Sequence, residues 1–435
     1  MATKKTAGAK GRRVAVIDGM RTPFLRAGTG FGDLMAYDLG RYAVTGLLAK
    51  TGLDKNEVDE LIMGIVAQDF RTSNVAREVS LGADLPHKVK THTVTVACIS
   101  ANQAVTNGAD SIYRGYADVV IAGGCETMSD VPIRVSQKLR KMLLASQKAK
   151  TAKDYFEIFK HLRPKDLSPE IPSIAEFSTG LSMGQNADRL AHRLSISREA
   201  QDEFSMRSHQ LAVKAQDDGI LDEEIVPIAP PAKFAAVTKD NGPRKTAMEK
   251  LAKLRPAFDP KYGTVTAGNA SFLTDGGSAV LLMSEEKAKA LGLKPKAWIH
   301  SYEYSGTDPL EELLLGPAYA IPRTLDKSGL TLADVDVLEI HEAFAAQMLS
   351  VIKLLESDDF AKEKLGRNKK VGEVNWDKLN IHGGSLSLGH PFGATGGRII
   401  TTCINRLIRE DGHWGVVAAC GAGGCGTAMV LERAN

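Results

Sequence analysis

The sequence predicts an α/β protein built from two similar halves with a different segment inserted between them. Three observations carry this. Short β-rich apolar runs alternate with longer helical patterns. Two of those runs recur later in the chain in the same order. The 435 residues exceed what one ordinary core organises and suit two or three domains.

Taken in order, Val14-Ala-Val-Ile17 reads as the first strand, and Leu39 to Lys50 as a helix ended by Gly52. Asp118-Val-Val-Ile-Ala-Gly-Gly124 reads as a buried strand running into a glycine turn. Val58-Asp-Glu-Leu-Ile-Met-Gly64 is matched by Val335-Asp-Val-Leu-Glu-Ile-His341, each after a similar lead-in, Gly52-Leu-Asp-Lys and Gly329-Leu-Thr-Leu. Asp118 to Gly123 is matched by Gly415-Val-Val-Ala-Ala-Cys420. Such duplication implies two halves packed about a pseudo-two-fold axis.

The region between them, roughly Val131 to Pro256, has another character. From Lys138 to Lys165 nine Lys/Arg stand against two Asp/Glu, a local charge of +7. Leu139, Met142 and Leu143, then Tyr155, Phe159 and Leu162, fall at helical spacing. One or two basic amphipathic helices are expected, over Lys138–Leu144 and Asp154–Arg163. Their face suits either plain solvation or an anionic lipid, partner or phosphate-bearing surface.

Bulk composition excludes several classes. A net charge of +3 gives no reason to propose nucleic-acid binding. No apolar run approaches the ~18–20 residues that span a bilayer. Met1 to Arg13 is basic without an apolar stretch and reads as a disordered tail rather than a secretory or transit segment. Five cysteines is an odd number in a long chain, so free thiols in a reducing cytoplasm are expected.

Four residues stand in settings suited to chemistry. Cys98 ends a β-rich run and precedes helical spacing through Ala104 and Ala109, so its thiol should lie near a helix N-terminus, where the dipole favours thiolate. Cys420 opens Cys420-Gly-Ala-Gly-Gly-Cys-Gly426, and His390 sits in Gly384-Ser-Leu-Ser-Leu-Gly-His-Pro-Phe-Gly-Ala-Thr-Gly-Gly397. Glycine permits close backbone approach and positive φ, so these loops read as an active-site floor. His341 begins His-Glu-Ala-Phe after the strand Val335–Ile340, with Glu342 suited to a first helical turn. Gly421 to Gly426 formally fits a dinucleotide fingerprint, but only a final strand, Ala428–Leu431, follows where a helix is required. No C-x-x-C or H-E-x-x-H spacing suggests a metal. Two cysteines and two histidines in these settings fit acyl transfer through a thioester, with one thiolate attacking a carbonyl and the other groups moving protons.

The assembled pattern resembles the thiolase family. The resemblance runs from Arg21-Thr-Pro23 through Ala122-Gly-Gly-Cys-Glu-Thr-Met-Ser129, Ser182-Met-Gly184, Lys253-Leu-Arg-Pro-Ala-Phe258, Gly263-Thr-Val-Thr-Ala-Gly-Asn-Ala-Ser271 and Asp275-Gly-Gly277 to the Cys420 loop. It implies mixed five-stranded sheets packed in αβαβα layers plus an inserted loop domain. The implied boundaries are 14–130 with 257–286 for one half, 131–256 for the insertion and 287–435 for the other half. It implies Cys98 as nucleophile, His390 as its activator and an oxyanion donor, and Cys420 as the group exchanging the α-proton of acetyl-CoA. The backbone N–H groups of Cys98 and Ala422 would form a second oxyanion hole, and Met183, Phe258 and Ser271 would line the pantetheine tunnel.

One departure narrows the comparison. Most thiolases carry Asn-Glu-Ala-Phe where this chain has His341-Glu-Ala-Phe, and the His form is similar to the β subunit of the fatty-acid-oxidation trifunctional complex. The Gly383–Phe392 loop and the extended Val131–Glu176 insertion look like that group too. The resemblance therefore implies a 3-ketoacyl-CoA thiolase of β-oxidation. It would use coenzyme A as co-substrate with no permanently bound cofactor, and form a homodimer. It would be partnered by an α subunit with hydratase and dehydrogenase activities. Independently of the resemblance, the +7 segment 138–165 is expected to contact a partner or a membrane surface. The alternatives are a biosynthetic acetoacetyl-CoA-forming thiolase, a decarboxylating ketoacyl synthase and a non-catalytic acyl-CoA carrier.

Overall fold

Strands that read as continuous apolar runs need both faces covered, and the computed structural model covers them. It describes residues 11–170, 175–231 and 235–434, so most of the expected basic tail lies outside the described residues. The strands are β1 Val14–Arg21, β2 Leu25–Arg26, β3 Glu60–Gly64, β4 Lys90–Val94, β5 Val119–Glu126, β6 Arg134–Val135, β7 Pro169–Glu170, β8 Thr274–Ser284, β9 Ala297–Gly306, β10 Val337–Ile340, β11 Trp414–Gly421 and β12 Cys425–Arg433. The principal sheet runs β10-β11-β12-β9-β1-β8-β5-β3-β4, with β2 beside β8. It is mixed: β3 lies parallel to β4 and β5, and β10 to β11, while the other main-sheet pairings are antiparallel. The N-terminal half supplies the five strands β4-β3-β5-β8-β1. The C-terminal half supplies four, and beyond β10 Leu379 forms a single bridge to Leu338.

The internal repeat lands on equivalent elements. Helix Ala36–Thr51 ends at Gly52 with φ 65°, a one-turn 3-10 segment Lys55–Glu57 follows, then β3. Helix Gly316–Ser328 ends at Gly329 with φ 67°, Leu332–Asp334 follows, then β10. A left-handed C-cap costs glycine little, which explains why the repeated lead-ins begin with it. The second match is β5 against β11, each paired in parallel with its repeat partner.

Three apolar clusters define five layers. One puts Val44 and Leu47 of helix Ala36–Thr51 against Ile121 and Leu281 on the outer face of the N-terminal half. Another puts Ala320, Ile321 and Val351 against Val416 and Val430 on the outer face of the other half. Between the halves, helices Ser100–Tyr113 and Thr395–Arg409 share a cluster: Val105 and Ile112 meet strands of one half, Ile400, Ile404 and Leu407 those of the other. These two central helices bring the chemistry-bearing loops together, because each begins just after one of them.

The insertion carries helices Gln137–Ser146 and Ala152–Phe159, which pack on each other and bury no residue. The second stops short of the expected Arg163. Pro164 disfavours helical backbone in the residue before it, and Arg163 is extended at φ −113°, ψ 153°. The rest of the insertion is tied to β1 through Arg21, whose buried guanidinium meets Glu224 and Asp240, each at 2.7 Å.

Candidate active site

The Cys98 loop is a tight elbow. β4 ends four residues before Cys98, earlier than the apolar run suggests, and the helix begins at Ser100 with Ile99 as its N-cap. Between them Ala97 sits at φ 46°, a left-handed conformation that costs a non-glycine residue roughly 1–2 kcal/mol. Ser100 holds the turn: its Oγ accepts from the Val96 N–H at 2.9 Å and donates to the Ala97 carbonyl at 2.6 Å.

The backbone N–H groups of Ala422 and of Cys98 itself both address the Cys98 sulfur. Even so, burial pushes the thiol up to about 12. The expectation that the helix N-terminus favours thiolate is therefore corrected. Desolvation outweighs the dipole and the two N–H contacts, and the free thiol holds its proton. Glu126, buried nearby, adds negative charge in the same direction.

Cys420 lies near the end of β11, buried and paired with Gly426 of β12. The turn Ala422–Gly424 has two glycines at positive φ, 83° and 73°. Its Gly423 N–H donates to Glu176 of the insertion at 2.6 Å. Gly421 packs against Val96, Ala97 and Ile99, so the Cys420 loop lies on the Cys98 elbow. Burial and the neighbouring Cys98 both push the Cys420 thiol up.

His390 and His341 complete the cluster, with ring centroids 4.0 Å apart and an interplanar angle of 43°. Both are buried, and burial pushes His390 down to about 3 and His341 well below its ordinary value. Both rings are neutral near pH 7. His390 Nδ1 lies 2.6 Å from Thr395 Oγ1, and His341 Nδ1 lies 2.9 Å from Ser385 Oγ. Each Nε2 is buried without a partner among the described residues. The His390 loop is held to the other half: Gly393 N–H donates to Glu126 at 2.9 Å, and Gly396 packs against Asn102 in the first turn after Cys98. A Cβ on Gly124 would lie 1.8 Å from the Gly393 carbonyl, so glycine is required where the halves meet.

Glu342 does not occupy a first helical turn. That helix begins at Ala345, and Glu342 is buried under the Gly384 loop, accepting from Asn380 at 2.7 Å, Ser208 at 2.7 Å and Leu386 N–H at 3.3 Å. Polar partners from three segments outcompete the local cap.

The three expected tunnel residues gather around the same loop. Ser271 N–H donates to Ala343 at 2.9 Å, Phe258 packs edge-on to Phe344 at 6.2 Å, and Met183 precedes Gly184, which faces the Phe258 ring. An open cleft of about 830 Å³ includes Phe258, Asp188, Arg189 and Glu311 in its lining but none of Cys98, His341, His390 and Cys420. It flanks the chemistry rather than containing it. Sequence reading missed Ser385, Thr395, Arg398 and Glu126 as site-building residues. The only local signal was Thr395, a hydroxyl five residues after His390; Ser385 lies 44 residues from its partner His341.

A family model described as thiolase, N-terminal domain, matches residues 14–286, and one described as thiolase, C-terminal domain, matches residues 293–433. The chain belongs to the thiolase family. It is 54% identical over 421 residues to the trifunctional enzyme subunit beta, mitochondrial, of Bos taurus, covering 97% of this chain and 88% of that one. It is 45% identical over 424 residues to a 3-ketoacyl-CoA thiolase of Yersinia enterocolitica, covering 97% of each. Among solved structures, that of human mitochondrial 3-ketoacyl-CoA thiolase superposes with a TM-score of 0.82 at 32% identity, covering 97% of this chain and 99% of that one. This thiolase is thus an acyl-transferring enzyme with the layered fold of its family. The cytoplasmic location expected from the cysteine count and the amino terminus is overturned. The Bos taurus relative is named as mitochondrial, as is a Homo sapiens relative 53% identical over 431 residues. Free thiols are equally compatible with that compartment.

Proposed function

We propose that this thiolase cleaves 3-ketoacyl-CoA with coenzyme A to acetyl-CoA and a shortened acyl-CoA. The observation that carries the reading is the pairing of two neutral, half-satisfied imidazoles with a protonated cysteine whose sulfur faces two backbone N–H groups. Cys98 Sγ attacks the keto carbon while its proton passes to His390 Nε2. The N–H groups of Cys98 and Ala422 hold the oxyanion on that carbon. Cleavage of the Cα–Cβ bond leaves an acetyl-CoA enolate, whose oxygen accepts from the His341 side of the pocket. Cys420, kept neutral by burial, protonates the enolate carbon. In the second half-reaction the incoming CoA thiol gives its proton to Cys420 and attacks the Cys98 thioester, and His390 returns its proton to the leaving sulfur. Each group ends as it began, and the two half-reactions give ping-pong kinetics.

In this reading Met183, Phe258 and Ser271 guide the pantetheine arm. The halves 14–130 with 257–286 and 287–435 face each other across the site, and 131–256 forms the loop domain. A second copy of this chain and an α subunit of hydratase and dehydrogenase activity are the partners proposed from the β-subunit relatives. The helices Gln137–Ser146 and Ala152–Phe159 expose Leu144 and Phe156 among lysines, which supports contact with an anionic membrane surface. The deciding experiment is mass spectrometry after 3-ketoacyl-CoA is supplied without free CoA. The expected result is an acyl adduct on Cys98, absent in Cys98→Ala together with thiolysis. A variant that kept full turnover would refute the reading. Rates on acetoacetyl-CoA against a long-chain 3-ketoacyl-CoA separate it from a biosynthetic thiolase.

A further inference from the structure

The two catalytic imidazoles lie side by side, yet the hydroxyls behind them have different partners. Ser385 Oγ lies 2.9 Å from His341 Nδ1 and 3.1 Å from Arg398 Nη2. A guanidinium only donates, so Ser385 accepts from Arg398. Its single proton then has His341 Nδ1 as its one acceptor among the described residues. A proton on Nδ1 would leave that buried hydroxyl proton without an acceptor, so the His341 proton sits on Nε2. Thr395 is arranged the other way: its Oγ1 donates to the Pro391 carbonyl at 3.1 Å and so accepts from His390 Nδ1–H, which leaves His390 Nε2 with a lone pair.

We infer that Ser385 and Arg398 are positioning residues that lock His341 as the Nε2–H tautomer, a fixed hydrogen-bond donor set beside the proton-accepting Nε2 of His390. The burial of the relay supports this. Arg398, Ser385 and His341 are all essentially inaccessible to solvent. Among the described residues Nε and Nη1 of Arg398 make no hydrogen bond, and Nη1 approaches Glu339 only at 3.7 Å. The guanidinium thus spends its one hydrogen bond on the Ser385 hydroxyl. That polarises the O–H toward Nδ1 and makes the Nε2–H a stronger donor. Glu339 is itself held by Arg406 at 2.8 Å, so the cation is kept in place from behind. Without the hydroxyl, the neutral ring could carry its proton on either nitrogen, and the Nδ1–H form would present a lone pair to an oxyanion.

The inference deepens the thiolase reading, but its first test needs no turnover. In unmodified protein labelled with 15N-histidine, nitrogen shifts assigned through a His341→Asn control should show His341 protonated at Nε2 and bare at Nδ1. A proton on Nδ1 would overturn the proposal whatever the substrate proves to be. The second test is a double-mutant cycle. Ser385→Ala should lower kcat about tenfold, the equivalent of one ordinary hydrogen bond, with KM for CoA unmoved. In a His341→Asn background the same change should have no further effect on kcat. Equal losses in both backgrounds would mean that Ser385 is merely structural and would also overturn the inference. If Ser385→Ala does not fold, the nitrogen shifts of the unmodified protein decide alone.

Discussion

Replacing Glu126 with glutamine should remove a pH dependence that the wild-type carboxyl gives to the stability of this enzyme. The carboxylate is buried where the halves meet and accepts from Val66 N–H at 3.0 Å, Ala67 N–H at 2.9 Å and Gly393 N–H at 2.9 Å. Burial nevertheless outweighs those bonds and raises it from 4.5 to about 7. A carboxyl whose folded pKa is raised holds its proton longer folded than unfolded. Its contribution therefore favours the fold at low pH and fades as pH rises toward 7. Between pH 5.5 and 8.5 the loss amounts to about 2 kcal/mol. With an unfolding entropy of roughly 0.9 kcal/mol/K for a chain of this length, that is about 2 °C in Tm. Glutamine cannot titrate, and two of the three N–H bonds fall on one oxygen, so its amide oxygen can keep them. Its remaining cost, about 1–3 kcal/mol for an N–H facing an NH2, does not vary with pH. Thermal melts of both proteins at the two pH values should show the variant gaining about 2 °C on the wild type at the higher pH. A gap of constant size would refute the raised pKa and the argument built on it.

Three further outcomes are expected. Alkylation of Cys98 by iodoacetamide should keep rising with pH through pH 9.5, since its thiol is pushed up to about 12; a plateau near neutral pH would reveal a resting thiolate instead. Thr395→Val keeps the side chain's shape but strands the His390 Nδ1–H, and kcat should fall roughly ten- to a hundredfold while Thr395→Ser retains most activity; equal activity of the valine and wild-type enzymes would show that His390 needs no such partner. Leu144→Ser with Phe156→Ser should weaken sedimentation with anionic vesicles at low salt and leave short-chain thiolysis intact; unchanged sedimentation would remove these helices from any membrane contact.

The parts of this protein legible from its sequence are those with local causes. Apolar runs specify β1, β5 and β11, and Gly52 and Gly329 mark helix ends because a left-handed C-cap is easiest for glycine. The repeat reads through because both copies solve the same local problem of helix, turn and strand. Cys98, His341, His390 and Cys420 are legible as reactive side chains in unusual backbone settings, and the family resemblance assigns their roles. What the sequence could not determine depends on groups brought from afar. Whether Cys98 rests as thiol or thiolate is decided by desolvation against the helix end, a balance that only the packed interior sets. Glu342 reads as a helix-start residue but serves Asn380, Ser208 and Leu386 from other segments. The opposite characters of the two imidazoles rest on single protons of Ser385 and Thr395, whose directions follow from Arg398 and the Pro391 carbonyl. A hydrogen-bond donor has no meaning in a sequence until its acceptor is in place, so tertiary structure alone decides which histidine gives and which takes.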